Sequence, residues 1–412
     1  MTTFTEIYQS LIQQTLEQDG STDNMPDDFD QDQLDCLLHP EKHAPIWRIA
    51  DCDCTHLDQA KCIGSCLFNA LTLETDGIKI NKELCVGCEA CLSACPNKKL
   101  VSSKDIIPTL KSLLNNEKLS YALIAPAFLG QFSPDVTPGK LRSALKAMGF
   151  DGVIEVSLFA DILTLKEALE FIQNIKTKDD YQLTSCCCPI WIAMIRKIYQ
   201  ELIPHVPAAV SPMIAAGRTV KKLHPDCLTV FIGPCIAKKA EAKEADVSDA
   251  IDYVLTFQEI QDVFSAMNID PSLMEEDEKD HSSRVGRIYA YTGGVSEAVK
   301  ATIDRLSPDN MIKIKSEQAD GVSACKALIQ KILSGDITAN FYEGMGCVGG
   351  CVGGPKAIID KEAGKANVVT YGAQALYPTP IDNPYVIEML HQLGFDNVDD
   401  LLHDSALLTR HF

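Results

Sequence analysis

The 412-residue chain has no apolar run of the ~18–20 residues that a membrane helix needs, so a helical membrane span is excluded. Its first residues, MTTFTEIYQSLIQQ, have neither a basic segment nor an apolar core. No secretory signal is therefore expected, and a cytoplasmic location is the reading. Positive charge is also short: 37 Lys and Arg face 57 Asp and Glu, and 37 − 57 = −20. So acidic a surface repels phosphate backbones and anionic headgroups, and neither nucleic acid nor a membrane is an expected partner. Apart from two cysteine groups the chain has no internal repeat. With 46% hydrophobic and 23% charged residues it is an ordinary folded composition, which excludes collagen, coiled coil and wholesale disorder.

Cysteine is what the chain has in quantity, with 17 residues. A secreted disulfide scaffold is short and spreads its cysteines to staple loops. Here the chain is long and the cysteines are tightly clustered, a pattern that fits metal ligation in a reducing compartment.

The length allows two or three domains. Residues 4–16 carry helical spacing, and 17–32 form an acidic, turn-rich stretch read as a loop or linker. Together 1–45 make an N-terminal helix and linker. Residues 46–105 are cysteine-dense and would be held by their metal. From 106 to 372 the composition is that of an α/β domain. LSYALIAPAFL, GVIEVSLFADIL, LTVFIGPCIA, YVLTF and GRIYAYTGGV read as buried strands. Helical patterns lie at 138–148, 164–176, 191–202, 211–223, 257–267, 295–305 and 322–333. Alternating strand and helix predicts mostly parallel, helix-covered sheets with a site beyond the strands' C-terminal ends. A charged surface loop is expected at 271–284. The last segment, 373–412, carries helical patterns at 383–394 and 397–408.

Cys85-Val-Gly-Cys88-Glu-Ala-Cys91-Leu-Ser-Ala-Cys95-Pro96 is the C-x2-C-x2-C-x3-C-P run of bacterial ferredoxins. Two-residue gaps let three thiolates wrap one cuboidal cluster, while the fourth cysteine serves a second. A structural zinc site is the competing reading, but zinc pairs rarely continue into this pattern. Cys52-Asp-Cys54 and Cys62-Ile-Gly-Ser-Cys66 supply the other half. By that symmetry Cys85, Cys88, Cys91 and Cys66 hold one 4Fe-4S cluster, and Cys52, Cys54, Cys62 and Cys95 the other. Cys36 is a spare candidate for Cys52 or Cys54. Isolated Cys227 and Cys325 read as small buried hydrophobes.

Three further groups stand far apart: Thr184-Ser185-Cys186-Cys187-Cys188-Pro189-Ile190-Trp191, Gly233-Pro234-Cys235-Ile236-Ala237-Lys238-Lys239-Ala240-Glu241, and Glu343 through Pro355 with Cys347 and Cys351. Glycines around the last two cysteines would let the backbone approach a bulky inorganic ligand. In order and content these groups resemble the three signature motifs of the iron-only (FeFe) hydrogenases, in a subclass with TSCCCP and GPC variants. The likeness covers about 46–412.

The resemblance implies a catalytic domain of two lobes with mostly parallel sheets flanked by helices, behind a ferredoxin-like two-cluster domain. It implies the reaction 2H⁺ + 2e⁻ ⇌ H₂ at a six-iron H-cluster, a 4Fe-4S cubane joined to a two-iron unit with CO, cyanide and a dithiolate. Cys235, Cys347 and Cys351 would be cubane ligands, Cys351 the bridge. The first motif has one extra cysteine. Aligned from Thr184-Ser185 the ligand is Cys187; aligned from Pro189 it is Cys188. The second is preferred, because Pro189 should open a helix, and Cys187 then becomes the proton-relay thiol. The implied path runs Cys187, Glu167, Ser211, Glu170, solvent. Lys238, positioned by Glu241, would hold one cyanide, Pro126 and Ala127 would line the other, and Met345 would shield the distal iron. Gly233 and Ala237 replace a usual Met and a common hydroxyl and would sit beside the two-iron unit. Implied partners are H₂ and protons, ferredoxin or a similar soluble carrier, and maturation proteins for the two-iron unit. Competing functions on the same fold are a non-catalytic H₂ sensor and a hydrogenase-like iron–sulfur assembly protein.

Overall fold

The computed structural model describes residues 2–17, 28–52, 54, 60–75, 77–115, 118–184 and 187–412. Two parallel sheets organise the chain. The larger runs, in spatial order, Gly152–Glu155, Ser120–Ile124, Leu228–Gly233 and Tyr253–Thr256, all parallel. The smaller orders Ser316–Asp320, Phe341–Met345 and Gln182–Leu183, also parallel. Helices cover both, so the central strands are buried on both faces and read as continuous apolar runs rather than alternation. Each sheet anchors its own apolar core. These are the two lobes.

Most helices begin where local chemistry dictates. Pro138, Pro189, Pro212 and Pro384 each occupy the first turn, where a missing N–H costs nothing. Thr3 with Glu6 and Thr256 with Glu259 form capping boxes. Helix Phe4–Leu16 buries Phe4, Ile7, Tyr8, Leu11 and Ile12 in the core of the larger lobe, and Tyr8 Oη donates to Asp262 at 2.9 Å. The cysteine-rich segment has its own small core, built on antiparallel pairs Ile46–Arg48 with Leu100–Ser102 and Leu71–Glu74 with Gly77–Ile80. The acidic stretch expected at 17–32 lies largely outside the described residues. No helix among the described residues is long and apolar enough to cross a membrane.

Three expectations are corrected. The run from Ser157, read as the end of a strand, opens an 18-residue helix, Ser157–Asn174, that is buried on almost every side through Leu169. A helix buried all round loses the polar stripe that would reveal its period. GRIYAYTGGV is not a strand: it holds the end of helix Arg284–Arg287, the short 3₁₀ turn Ile288–Ala290 and the start of helix Gly294–Leu306. Its apolar residues are buried, and a short apolar run does not distinguish strand from helix. In the tail, helix Pro384–Leu393 forms as expected, but 397–408 yields only the 3₁₀ segment Val398–Leu402. Helix Lys361–Ala373, half-exposed and weakly patterned, was not foreseen.

Candidate functional site

Both parallel sheets point their C-terminal ends at one cavity. Strand Ser120–Ile124 delivers Ala125 and Pro126, Gly152–Glu155 delivers Val156, and Leu228–Gly233 delivers Pro234 and Cys235. From the smaller sheet, Phe341–Met345 delivers Met345, Gly346 and Cys347. This is where an open α/β sheet leaves a crevice.

Five cysteines reach the cavity: Cys187, Cys188, Cys235, Cys347 and Cys351. Cys188 is the N-cap of helix Pro189–Lys197, and its Sγ accepts a hydrogen bond from Gly346 N–H at 3.2 Å. Burial, then the neighbouring Cys188 and Cys351, push the Cys235 thiol up to about 12. Burial and Cys188 do the same to Cys351, and Cys347 is raised by burial, Cys235 and Cys188. Ionising Cys235, Cys347 and Cys351 together in this buried site carries a cost, because the thiolates would repel one another. A metal cluster relieves it, because thiolates bind the metal in place of protons. The donor set therefore fits an iron–sulfur group. Among the described residues no three His, Cys, Asp or Glu side chains converge on a single ion.

Lys238 also lines the cavity, its Nζ 2.7 Å from Glu241 Oε2, both side chains buried. Burial opposes the Lys238 charge, but Glu241, with Cys235 and Cys351, raises its pKa overall. The adjacent Lys239 turns the other way, into a buried group with Glu259 and Asp105. Met345 is 2% exposed and on the wall. Pro126 lines the cavity. Ala127 lies behind it, buried, its carbonyl accepting from Gln131 Nε2.

Cys187 is raised by burial, by Cys188 and by Glu167. Glu167 and Glu170 share a face of helix Ser157–Asn174, which packs against helix Pro212–Leu223, capped by Ser211. That face is not a solvated acidic one: Glu167 is 1% exposed and Ser211 0%. Glu170 lies 3.3 Å from Lys166 Nζ, which also donates to the Leu401 carbonyl. Burial raises the Glu170 carboxyl while Lys166 lowers it.

In the small domain Cys66, Cys85, Cys88 and Cys91 line a second pocket. Burial, then Cys95, and further down Cys52, raise Cys62, and Cys54 packs on the same small core. Cys66, Cys85, Cys88 and Cys91 thus share one pocket, and Cys62 lies within electrostatic reach of Cys95 and Cys52. Cys36 is not among them. It sits on helix Gln31–Leu38 against the core of the larger lobe.

Other expectations change. Gly233 and Ala237 are not on the cavity wall; a Cβ at Gly233 would lie 2.9 Å from the Phe231 ring, and Phe231 itself lines the cavity. Ala237 is fully buried in the core of the smaller lobe. Of the third motif's glycines, Gly346, Gly350 and Gly354 line the cavity, and the motif's glycines also admit neighbouring protein. A Cβ at Gly344 would lie 2.0 Å from Trp191, and Gly350, at φ 85°, fits beneath Tyr291 and Thr292. Cys186 lies outside the described residues. Tyr289 was missed. It lines the cavity, and its buried hydroxyl accepts from Thr164 Oγ1 at 2.7 Å; the only sequence signal is a tyrosine inside a run that reads as strand. Glu343 had no assigned role. It accepts from Gly293 N–H, Ser296 N–H and Ser296 Oγ, tying the third motif to the start of helix Gly294–Leu306.

Comparison with known proteins agrees with this arrangement. The family described as iron only hydrogenase large subunit, C-terminal domain, matches residues 118–355, and the 4Fe-4S binding domain matches 78–98. The chain is 26% identical over 380 residues to the NADP-reducing hydrogenase subunit HndD of Solidesulfovibrio fructosivorans, covering 78% of this chain and 65% of that one. It is 29% identical over 328 residues to iron hydrogenase 1 of Clostridium pasteurianum, covering 67% and 57%. The chain thus spans less than two thirds of either relative. A probable cytosolic Fe-S cluster assembly factor of Aedes aegypti is 22% identical over 391 residues, covering 78% and 82%. A variant of the FeFe-hydrogenase HydA1 from Chlamydomonas reinhardtii shares the fold at TM-score 0.59 and 22% identity, over 72% of this chain and 95% of that one. With a family match through more than half its length, including the loops that carry Cys187, Cys188, Cys235, Cys347 and Cys351, the chain belongs to the iron-only hydrogenase large-subunit family.

Proposed function

We propose that this protein is an FeFe hydrogenase catalysing 2H⁺ + 2e⁻ ⇌ H₂. The observation that carries the reading is the convergence of Cys188, Cys235, Cys347 and Cys351 on one cavity with the Lys238–Glu241 pair and the Cys187 thiol. The four thiolates would hold the cubane of the H-cluster, with Cys351 bridging to the two-iron unit. When bound, that group supplies the redox chemistry that joins protons and electrons. Lys238, kept charged by Glu241, would orient an anionic ligand through a charge-assisted hydrogen bond. Pro126, Met345 and Phe231 exclude water from the cavity, with Ala127 supporting Pro126 from behind. Cys187 Sγ would pass a proton to the Glu167 carboxyl, and Ser211 and Glu170 would carry it outward.

Cys66, Cys85, Cys88 and Cys91, and Cys52, Cys54, Cys62 and Cys95, would each bind a 4Fe-4S cluster and relay electrons. The donor would be a soluble carrier such as ferredoxin, in a cytoplasmic setting, with maturation proteins supplying the two-iron unit. An acidic carrier and an acidic enzyme repel, so docking needs a local basic patch; exposed Lys98 with Lys99, just past Cys95-Pro96, supplies one. Charge reversal at both is expected to slow coupling to ferredoxin and leave dye-linked activity intact. An unchanged ferredoxin rate removes this docking site.

The competing reading is an iron–sulfur assembly factor, favoured by the assembly-factor relative; a sensor is the third. The infrared spectrum of the matured protein separates the first two. Bands from bound CO and cyanide are expected, and their absence from iron-loaded, matured protein overturns the hydrogenase reading. Turnover of H₂ then separates enzyme from sensor.

A further inference from the structure

We propose that the ion pair between Glu89 and Lys356 sets the redox balance between the accessory cluster site at Cys66, Cys85, Cys88 and Cys91 and the site at Cys188, Cys235, Cys347 and Cys351. The proposal rests on the iron–sulfur reading of both sites.

Each member of the pair belongs to a different site. Glu89 follows Cys88 directly and lines the four-cysteine pocket of the small domain. It starts helix Ala90–Ala94 with a left-handed backbone, φ 61°, a conformation uncommon for a residue with a side chain. Lys356 comes just after the glycine-rich third motif, and its backbone N–H donates to the carbonyl of Pro234, the residue before Cys235. The two side chains meet at 2.9 Å and are 9% and 14% exposed. The loops beneath them touch as well: a Cβ at Gly87 would lie 3.1 Å from the Ile236 carbonyl oxygen. The accessory loop thus rests on the loop that carries Cys235, with one acid and one base across the seam. The Glu89 charge is felt on both sides, by the thiols of Cys88 and of Cys347.

Reducing a cluster adds an electron. A nearby carboxylate opposes that step and an ammonium favours it, both more strongly in a poorly screened interior. Paired, the two charges nearly cancel at each cluster. Removing either one leaves a net charge between the two sites, and the sign of that charge dictates the sign of the change. A purely structural pair, one that only pins the two loops, has no such sign rule.

The test uses the full chain loaded with 4Fe-4S clusters but without the two-iron unit, titrated with reductant and followed by electron paramagnetic resonance. Lys356→Met is expected to move the midpoint potentials of the two flanking clusters to more negative values. Glu89→Gln is expected to move them to more positive values. The double variant should return close to the parent, and Lys356→Arg should match it. The third cluster, at Cys52, Cys54, Cys62 and Cys95, is the internal control and should move least. Unmoved potentials, or shifts of one sign in both single variants at full iron content, overturn the proposal. Should Lys356→Met lose its iron, Glu89→Gln decides alone: a positive shift supports the proposal and no shift overturns it. A parent protein with no cluster signals overturns the iron–sulfur reading itself and this proposal with it.

Discussion

The Sγ of Cys188 accepts a hydrogen bond from the backbone N–H of Gly346 at 3.2 Å, while the carbonyl on the other side of that peptide, Met345 O, accepts from the Cys325 thiol at 3.3 Å. A peptide held at both ends fixes Cys188 against the third motif. Cys187, one residue earlier, is also on the cavity wall, and its thiol is raised by burial, by Cys188 and by the Glu167 charge.

This pairing separates the two neighbouring thiols experimentally. Cys188→Ala is expected to lose cluster iron and any CO and cyanide bands. Cys187→Ala should keep both, while turnover falls by about 10²–10⁴, the range of a lost general acid–base group. A cluster-free Cys187→Ala protein would overturn this assignment and favour the rival register.

The accessory cysteines yield a countable outcome. Three cubanes hold about twelve irons before maturation, by the stoichiometry of such clusters. Cys91, 5% exposed and on the wall of the small-domain pocket, should as Cys91→Ala cost about four of them and slow electron entry. Iron analysis returning a single zinc here would end the two-cluster reading.

Breaking the Lys238–Glu241 pair should be felt in stability as well as function. Both side chains are nearly inaccessible to water, and removing one partner of a buried ion pair costs about 3–5 kcal/mol. Glu241→Ala should therefore lower the midpoint of thermal unfolding clearly, and Lys238→Met combined with Glu241→Met should recover much of it. Equal melting of Glu241→Ala and the parent would show that water screens the pair.

Asp161 supplies a pH test. It accepts from Ser283 N–H and, in a short contact, from Ser283 Oγ beneath the turn that precedes Tyr289. Burial still lifts its carboxyl to about 7 against those bonds. The folded pKa is therefore raised above the unfolded one of about 3.9. Between these values the unfolded chain has lost a proton that the folded chain keeps, so this residue's contribution to stability is present at low pH and is lost as pH rises toward 7. The slope is at most about 1.4 kcal/mol per pH unit. Asp161→Asn should flatten the unfolding midpoint between pH 4.5 and 6.5. Parallel profiles for variant and parent would rule the contribution out.

The sequence by itself determined what is set by short-range covalent spacing. The C-x2-C-x2-C-x3-C-P run, the proline at the head of helix Pro189–Lys197 and the alternation of strand and helix are local facts, because they depend on residues a few bonds apart. The alternation was enough for mostly parallel, helix-covered sheets, while the two lobes and the set of cavity cysteines came from the resemblance of the three cysteine motifs to those of the iron-only hydrogenases. Tertiary structure decided what depends on neighbours distant in the chain. It turned Glu167 inward although its helical spacing alone suits a solvated face. It put Phe231, not a side chain at Gly233, on the cavity wall. It sent Lys238 to the thiols and Lys239 to Glu259, two adjacent and chemically identical residues whose fates differ only because side chains about 100° apart on a helix meet different surroundings. It also brought Glu89 to Lys356 across 267 residues, 356 − 89, and no local pattern encodes a contact of that span.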